Sequence, residues 1–277
     1  MEVTPQPRPA PAEPPRPSLV PRLPEPALSE ELRRLRTLLP AHLASSVTSG
    51  TELVRALEKG RRDGFIPTTL EGVDTLLAGG LPRGSLVELV SRRASGRFSI
   101  VLSALSAASS LGEAVALIDL GDHFDPQLAE ANGVDLRRLL WVRPRNAKQA
   151  VMSAEMLAAT GFQLVVVEMG LHPVRGRRAP DAAWVRLART AESHGTSMLV
   201  SSPYPLTGTA SEAVVKGCGT RAQWLGGGRS PRLLAGLTME LALEKHRHQK
   251  AGRHASVIVT ASDAQSLFRK QNPRAAG

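Results

Sequence analysis

The stretch that decides the fold is GGLPRGSLVELVSRRASGRFSIVLSALSAASSLGEAVALIDLGDHFDP, residues 79–126. Within it, residues 85–90 (SLVELV) predict a short strand and residues 91–97 a tight loop. Residues 98–111 predict a helix rich in small side chains, and the apolar run at 114–118 predicts a second strand. A strand, a loop, a helix and a strand in this order are the arrangement of a phosphate-binding P-loop.

The loop itself lacks several residues that P-loop chemistry needs. In a P-loop, backbone amides cradle phosphate, a lysine reaches the outer phosphates, and the next hydroxyl binds Mg²⁺. Gly96 is retained, but Arg97 replaces a compact ammonium with a larger planar guanidinium. Phe98 has no oxygen, and Ser99 lies about 100° further around the helix. The matching positions are Ser91, Arg92, Arg93, Ala94, Ser95, Gly96, Arg97 and Phe98.

This pattern predicts a degenerate nucleotide-binding loop and no cofactor. Weak ATP binding through the amides near residues 95–97 stays open, because a helix N-terminus attracts phosphate even without the usual side chains. The alternative is that the loop is only a connector between strand and helix.

The rest of the chain alternates between strands and helices up to residue 202. The pattern predicts an α/β fold with a largely parallel central sheet flanked by helices. After residue 202 it predicts strands only, and therefore an antiparallel extension at the C-terminal end. The predicted strands are 139–142, 163–168, 196–201, 221–225, 237–244 and 255–260, and the predicted helices are 126–131, 147–159 and 179–194.

Four regions are predicted along the chain. Residues 1–27 carry ten of the 21 prolines and predict a disordered tail, since proline removes amide donors and fixes φ. Residues 28–62 predict a small N-terminal helical lobe, residues 63–262 the core domain, and residues 263–277 a flexible tail.

Composition favours an intracellular protein with an acidic partner. The chain has 35 basic and 25 acidic residues, a net charge of +10, which suits nucleic acid or an acidic protein surface, although it could only aid solubility. The single cysteine, Cys218, excludes an internal disulfide, and we expect it to be a buried small apolar residue. No membrane span or signal segment is evident, so we expect a cytoplasmic protein. No carboxylate or cysteine cluster accompanies His246, His248 and His254, so no metal site is predicted.

Three stretches in order along the chain resemble the core of the RecA-like superfamily. They are IPTTLEGVDTLLAGGLPRGSLVEL (66–89), ALIDLGDHFDPQLAEANGVDLRRLLWVRP (116–144) and QLVVVE (163–168). The resemblance covers residues 63–262 and implies a RecA-like fold. It also gives Glu168, at the end of the third stretch, the place of the acidic Walker B residue.

The sequence departs from that family where catalysis would occur. Gly121 occupies the position of the family's catalytic glutamate. Asp122 is the next residue, but a shift of one residue displaces a side chain by about 3.8 Å, and catalysis tolerates little such displacement. In the family, the segment after the strand at 196–201 carries a glutamine that senses nucleotide. Here the matching stretch is Ser202-Pro203-Tyr204-Pro205, which has no glutamine. The segments at the places of the family's two DNA-binding loops, 172–180 and 203–212, are shorter than in the family. Together with the altered loop, these departures predict that the protein is not an enzyme.

Within the superfamily, a degenerate core with a basic, non-catalytic loop is most similar to the ImuA family of SOS mutagenesis accessory proteins. The resemblance implies a non-catalytic role in the DNA-damage response, in which the protein contacts RecA, the polymerase subunits of the SOS mutasome, or both. Two alternatives stay open. One is a divergent ATP-binding DNA-repair ATPase that uses Glu168, and the other is a cell-division inhibitor similar to SulA.

Two basic clusters are candidate contact surfaces. Lys245 and Arg247 match the spacing of strand-end lysines that reach a neighbouring subunit's nucleotide in RecA filaments. The resemblance therefore implies that they contact a RecA protomer or another subunit, and the alternative is a solvated basic hairpin. Arg175, Arg177 and Arg178 fall in the place of one DNA-binding loop and could bind the phosphate backbone weakly and without sequence preference.

Overall fold

The computed structural model describes four ranges of the chain, residues 64–92, 95–170, 180–226 and 232–260. All of them belong to Gly50–Gly277, the second of two units into which the chain divides. The predictions for residues 1–27, 28–62 and 263–277 lie outside the described residues.

The described elements follow the predicted alternation. Each element predicted between residues 85 and 202 is present, with its ends within two residues of the prediction. The strands are β1 (Phe65–Ile66), β2 (Leu81–Pro82), β3 (Leu86–Val90), β4 (Val115–Asp119), β5 (Leu139–Val142), β6 (Leu164–Glu168), β7 (Ser197–Ser202), β8 (Ala213–Leu225), β9 (Leu233–His246) and β10 (His254–Thr260). The helices are α1 (Glu71–Leu76), α2 (Arg97–Ser110), α3 (Pro126–Ala131), α4 (Ala147–Ala159) and α5 (Asp181–His194).

In the described part of the chain, eight strands form one sheet in the order β10-β9-β8-β3-β7-β6-β4-β5. The six strands from β8 to β5 are parallel, and β9 and β10 continue the sheet antiparallel. The predicted mixed sheet is therefore confirmed. The central strands β3, β4 and β6 are buried along their whole length, as expected when helices cover both faces.

The helices divide between the two faces of the sheet. One apolar core joins α1, α2 and α3 to the first face, and a second joins α4 and α5 to the other. Small residues of α2, such as Ala104 and Ala108, let that helix approach the sheet closely. The side chains of Asp125 and Asn146 cap α3 and α4 by accepting backbone N–H groups, which fixes where these helices begin.

The hairpin of β8 and β9 differs from the prediction. β8 begins at Ala213, eight residues before the predicted start at 221. Gly217, Gly219 and the shifts in pairing register between β8 and β9 hide the alternation that marks a strand. The expectation of a buried Cys218 is wrong, because this residue lies at one of these register shifts and is exposed.

In the ranges that the structure describes, no helix is both long and apolar enough to cross a membrane.

A partly buried carboxyl in α1 predicts a pH dependence of stability. Asp74 accepts hydrogen bonds from the amide and hydroxyl of Thr68, each at 2.8 Å, but burial dominates and raises its pKa to about 6. The folded protein therefore binds this proton more tightly than the unfolded chain. Asp74 favours folding at low pH, and this contribution is lost as the pH rises from about 4 to about 6.

Asp74→Asn should flatten the free energy of unfolding across that window, as measured by urea titration at a series of pH values. Asp135→Asn is the control, because the Asp135 carboxylate is hydrogen-bonded by Arg137 and its pKa is lowered. An unchanged fall in stability in Asp74→Asn would contradict the assignment.

Candidate functional site

The candidate site lies where the central parallel strands end. Pairing places Asp119 at the end of β4 beside Glu168 at the end of β6, and Glu168 beside Ser201 of β7. The loop after β3 leads into α2 over the same edge, with Gly96 as the left-handed residue before the helix (φ 81°). The fold therefore brings the loop that follows β3 and Glu168 together at one edge of the sheet.

The loop is packed beneath the β8–β9 hairpin. The Ser95 hydroxyl donates to the carbonyl of Arg92 at 2.6 Å, and the Thr220 hydroxyl donates to the carbonyl of Ser95 at 3.1 Å. The side chain of Met239 lies against Gly96, so that a side chain there would collide with it. Ser91 packs in the same way against Gly217 of β8.

Two residues at the motif positions belong to the protein interior. Phe98 packs against the core of the first face, and Arg97 is only 5% exposed. The position that would bind Mg²⁺ in a P-loop thus carries an apolar side chain within the fold. The position that would reach outward to phosphate carries a cation that turns inward.

Arg97 turns towards Glu168 and binds both of its oxygens. The distances are 2.8 Å from Nη2 to Oε1 and 3.0 Å from Nη1 to Oε2, a paired geometry that suits the flat guanidinium. Nη1 also donates to the hydroxyl of Ser201 at 2.6 Å, and Nη2 donates to the carbonyl of Gly170 at 3.0 Å. One side chain therefore connects α2, β6, β7 and the turn after β6.

Burial has the largest effect on the pKa of Glu168 in this pair. Glu168 is 2% exposed, and burial raises the pKa of its carboxyl, while the charge of Arg97 and the hydrogen bonds of Ser201, Arg97 and the Gly170 amide lower it. Without Arg97, the carboxylate would lose the nearest charge that favours its ionised form. Since Arg97 binds both carboxylate oxygens, the arrangement does not fit a Walker B acid that serves a hydrated Mg²⁺.

Gly121, which the resemblance places at the family's catalytic acid, is closely packed against Gly170 and His123. A Cβ placed at Gly121 would lie 2.6 Å from the Cα of Gly170 and would also collide with the ring of His123. Asp122 does not replace the acid, because it is exposed and pairs with Arg143, which lowers its pKa. The geometry therefore leaves no room at residue 121 for a side chain that could polarise water.

The segment 203–212, at the place of one DNA-binding loop, is folded down onto the sheet. The buried carboxylate of Glu88 accepts hydrogen bonds from the amides of Leu206 and Thr207 and, at 2.6 Å, from the Thr207 hydroxyl. From the other side, the Lys245 ammonium donates to the carbonyls of Gly208 and Ser211 at 3.0 and 2.7 Å. These contacts hold residues 206–211 against the rest of the protein.

Lys245 and Arg247 lie near the start of β8, whereas the loop packs on the middle of that strand. His246 pairs with Ala213, the first residue of β8, whereas the loop follows Val90, which pairs with Lys216 further along β8. Lys245 is engaged within the chain, and burial lowers the pKa of its ammonium. Arg247 has a side chain 54% exposed, with Glu212 at 4.0 Å, and it is the more available of the two cations.

Two further predictions concern a DNA-binding arginine cluster and the absence of a metal site. Arg175, Arg177 and Arg178 lie outside the described residues. Within the described ranges, no group of three or more His, Cys, Asp or Glu side chains is placed to hold a metal ion.

Sequence reasoning missed three participants, Ser201, Gly170 and Glu88. Glu88 carried a usable signal, since an acidic residue inside the apolar run SLVELV must find buried donors. Ser201 and Gly170 carried none, because their role depends on where the Arg97 side chain turns.

Comparisons with known proteins agree with this fold. Residues 58–172 match the family model of the RecA N-terminal domain. The chain is 40% identical over 103 residues to Protein RecA of Saccharopolyspora erythraea, covering 37% of this chain and 30% of that protein. It is 38% identical over 105 residues to Protein RecA of Clavibacter michiganensis subsp. michiganensis, covering 37% and 29%. The chain thus spans about 30% of the length of the curated relatives it matches.

A solved structure extends the likeness beyond that segment. The crystal structure of the RadB recombinase aligns with a TM-score of 0.51, covering 69% of this chain and 94% of the RadB chain at 21% identity. This shows a shared fold. The RecA-like resemblance is therefore supported, while the closer similarity to ImuA stays a prediction.

The close approach of Gly121 to Gly170 predicts a steric cost. Gly121→Ala should lower the free energy of unfolding by about 1–3 kcal/mol, the usual cost of overpacking, as measured by urea denaturation. Gly219→Ala is the matched control, because nothing lies within 4 Å of a Cβ built there. Equal stabilities of the two variants would contradict the described contact.

The buried pair predicts strong coupling between its two members. Arg97→Met should lower the free energy of unfolding by about 3–5 kcal/mol, because it leaves the Glu168 carboxylate buried and without its cation. The loss should shrink at low pH, where the carboxyl is protonated. The double variant Arg97→Met/Glu168→Leu should recover most of the loss in a double-mutant cycle. Additive effects of the two substitutions would argue against the pair.

Proposed function

We propose that this RecA-like chain is a non-catalytic accessory protein of the DNA-damage response, acting by protein contact on RecA, on the translesion polymerase subunits of the SOS mutasome, or on both. The single observation that carries the proposal is the placement of Arg97 on both oxygens of Glu168. A cation of the chain itself holds the carboxylate that a RecA-type ATPase needs for Mg²⁺, so hydrolysis loses its metal site. The closed position of Gly121 supports the same conclusion.

The described surface favours protein contact over recombinase-type DNA binding. The segment 203–212 is held on the sheet by Glu88 and Lys245 and does not extend from the body of the protein. The net charge of +10 suits a partner with an acidic surface, such as another repair protein, as well as nucleic acid. Weak non-specific DNA contact through Arg175, Arg177 and Arg178 remains part of the proposal and should show a steep loss of affinity with salt.

The proposed contact places the Arg247 end of the sheet against a RecA protomer. Lys245 pairs with Val214 near the start of β8, whereas the loop contacts Gly217 and Thr220 in the middle of that strand. A protomer stacked against the start of β8 would meet the exposed Arg247. We place the protein in the cytoplasm with these partners, as the predicted similarity to the ImuA family implies.

One observation favours a second candidate, a divergent ATPase. Asp119 and Glu168 lie side by side and buried, and one oxygen of Asp119 has no hydrogen-bond partner among the described residues. This candidate requires Mg²⁺-dependent hydrolysis by the protein alone that Glu168→Gln abolishes.

The deciding experiment titrates the protein into RecA on single-stranded DNA and follows ATP turnover and filament formation. We expect a stoichiometric change in RecA turnover and no turnover by the protein alone. Arg247→Glu should weaken the effect, whereas Lys148→Glu, at an exposed cation on α4, should not. No effect on RecA or on the polymerase subunits would reject the proposal, and hydrolysis sensitive to Glu168→Gln would replace it with the ATPase.

A further inference from the structure

Arg97 contacts the two strand ends that precede the segments matched to the DNA-binding loops, 172–180 and 203–212. Its Nη1 donates to Ser201, two residues before segment 203–212, and its Nη2 donates to Gly170, directly before residue 171. The amide of Gly170 donates in turn to Glu168 Oε1 at 3.1 Å. The ends of β6 and β7 and the start of α2 are thus joined through one guanidinium.

In ligand-responsive proteins of this general kind, a bound phosphate and its Mg²⁺ tie such elements together, and the segments loosen when the ligand leaves. A guanidinium group of the chain itself can connect the same elements. It carries a permanent positive charge and five donors in a fixed plane, and it cannot dissociate. Arg97 uses four hydrogen-bonding or ionic contacts of this kind while buried.

We propose that Arg97 is an internal replacement for a bound cation: it holds the carboxyl ends of β6 and β7 in one ordered arrangement in the absence of nucleotide and metal. Arg97 is a positioning residue in this role. The surface at this edge is then permanently ready for a partner and does not respond to ATP. The inference concerns the chain alone and holds whichever partner is correct.

Removing the Arg97 side chain allows the inference to be tested by ligand binding. Arg97→Ala removes the guanidinium and leaves a gap lined by the Glu168 carboxylate, the Ser201 hydroxyl and the Gly170 carbonyl. These are the acceptors that a free guanidinium ion would bind. A ligand that binds only the folded state raises its stability with the logarithm of ligand concentration.

The test measures thermal unfolding of the full chain and of Arg97→Ala in millimolar guanidinium chloride, with equal concentrations of sodium chloride and urea as controls. We expect Arg97→Ala to unfold roughly 10 °C below the parent. Guanidinium should restore several degrees to the variant and nothing to the parent, and urea and sodium chloride should restore nothing. Equal responses to guanidinium and sodium chloride would overturn the proposal.

A second variant keeps the proposal testable if Arg97→Ala does not fold. Arg97→Lys keeps the charge but loses the paired geometry, so hydrogen exchange should quicken at residues 164–170 and 197–212 and stay unchanged in β10. The parent protein should show the same exchange with and without Mg²⁺ and ATP. Protection of these residues by Mg²⁺ and ATP in the parent, or exchange in Arg97→Lys equal to the parent, would overturn the inference. The RecA assay reports separately on the proposed function, because it needs no variant of Arg97.

Discussion

A carboxylate buried at the end of a central strand needs a compensating charge, and the structure of this protein depends on how that need is met at Glu168. Water cannot reach the group, and an unpaired ionised carboxylate in such surroundings would cost several kcal/mol. The chain supplies the guanidinium of Arg97, which binds both oxygens. A cation tethered by the backbone is always present at the site. It also fixes the direction in which α2 leaves the loop.

The same principle recurs on the other face of the sheet. Glu88 is buried in the middle of β3 and is satisfied by two amides and a hydroxyl of the segment 203–212. Because these donors belong to a connecting segment, the buried acid fixes the path of a stretch with no helix or strand of its own. Two buried acids, Glu168 and Glu88, thus hold the loop before α2 and the segment 203–212 in place at this edge of the sheet.

The sequence predicted the alternation of elements well because the physical signals were local. Runs such as QLVVVE can only be fully buried strands, and the amphipathic pattern of α5 has one apolar face. It also placed the loop before α2 and placed Glu168 at the end of a buried strand. It could not show that Arg97 turns inward, since a long flexible side chain has the same spacing whether it faces solvent or the core. The exposure of Cys218 was missed for a similar reason, because a shift in strand register has no local signature.

The contact between Gly121 and Gly170 limits the side chains that residue 121 can accept. A glycine packed against a glycine at the neighbouring strand end allows the two backbone segments to approach further than any side chain would permit. Any larger residue at 121 must first push these segments apart, so it carries a steric cost whatever its chemistry. Packing alone therefore favours glycine at this position, independently of any activity of the protein.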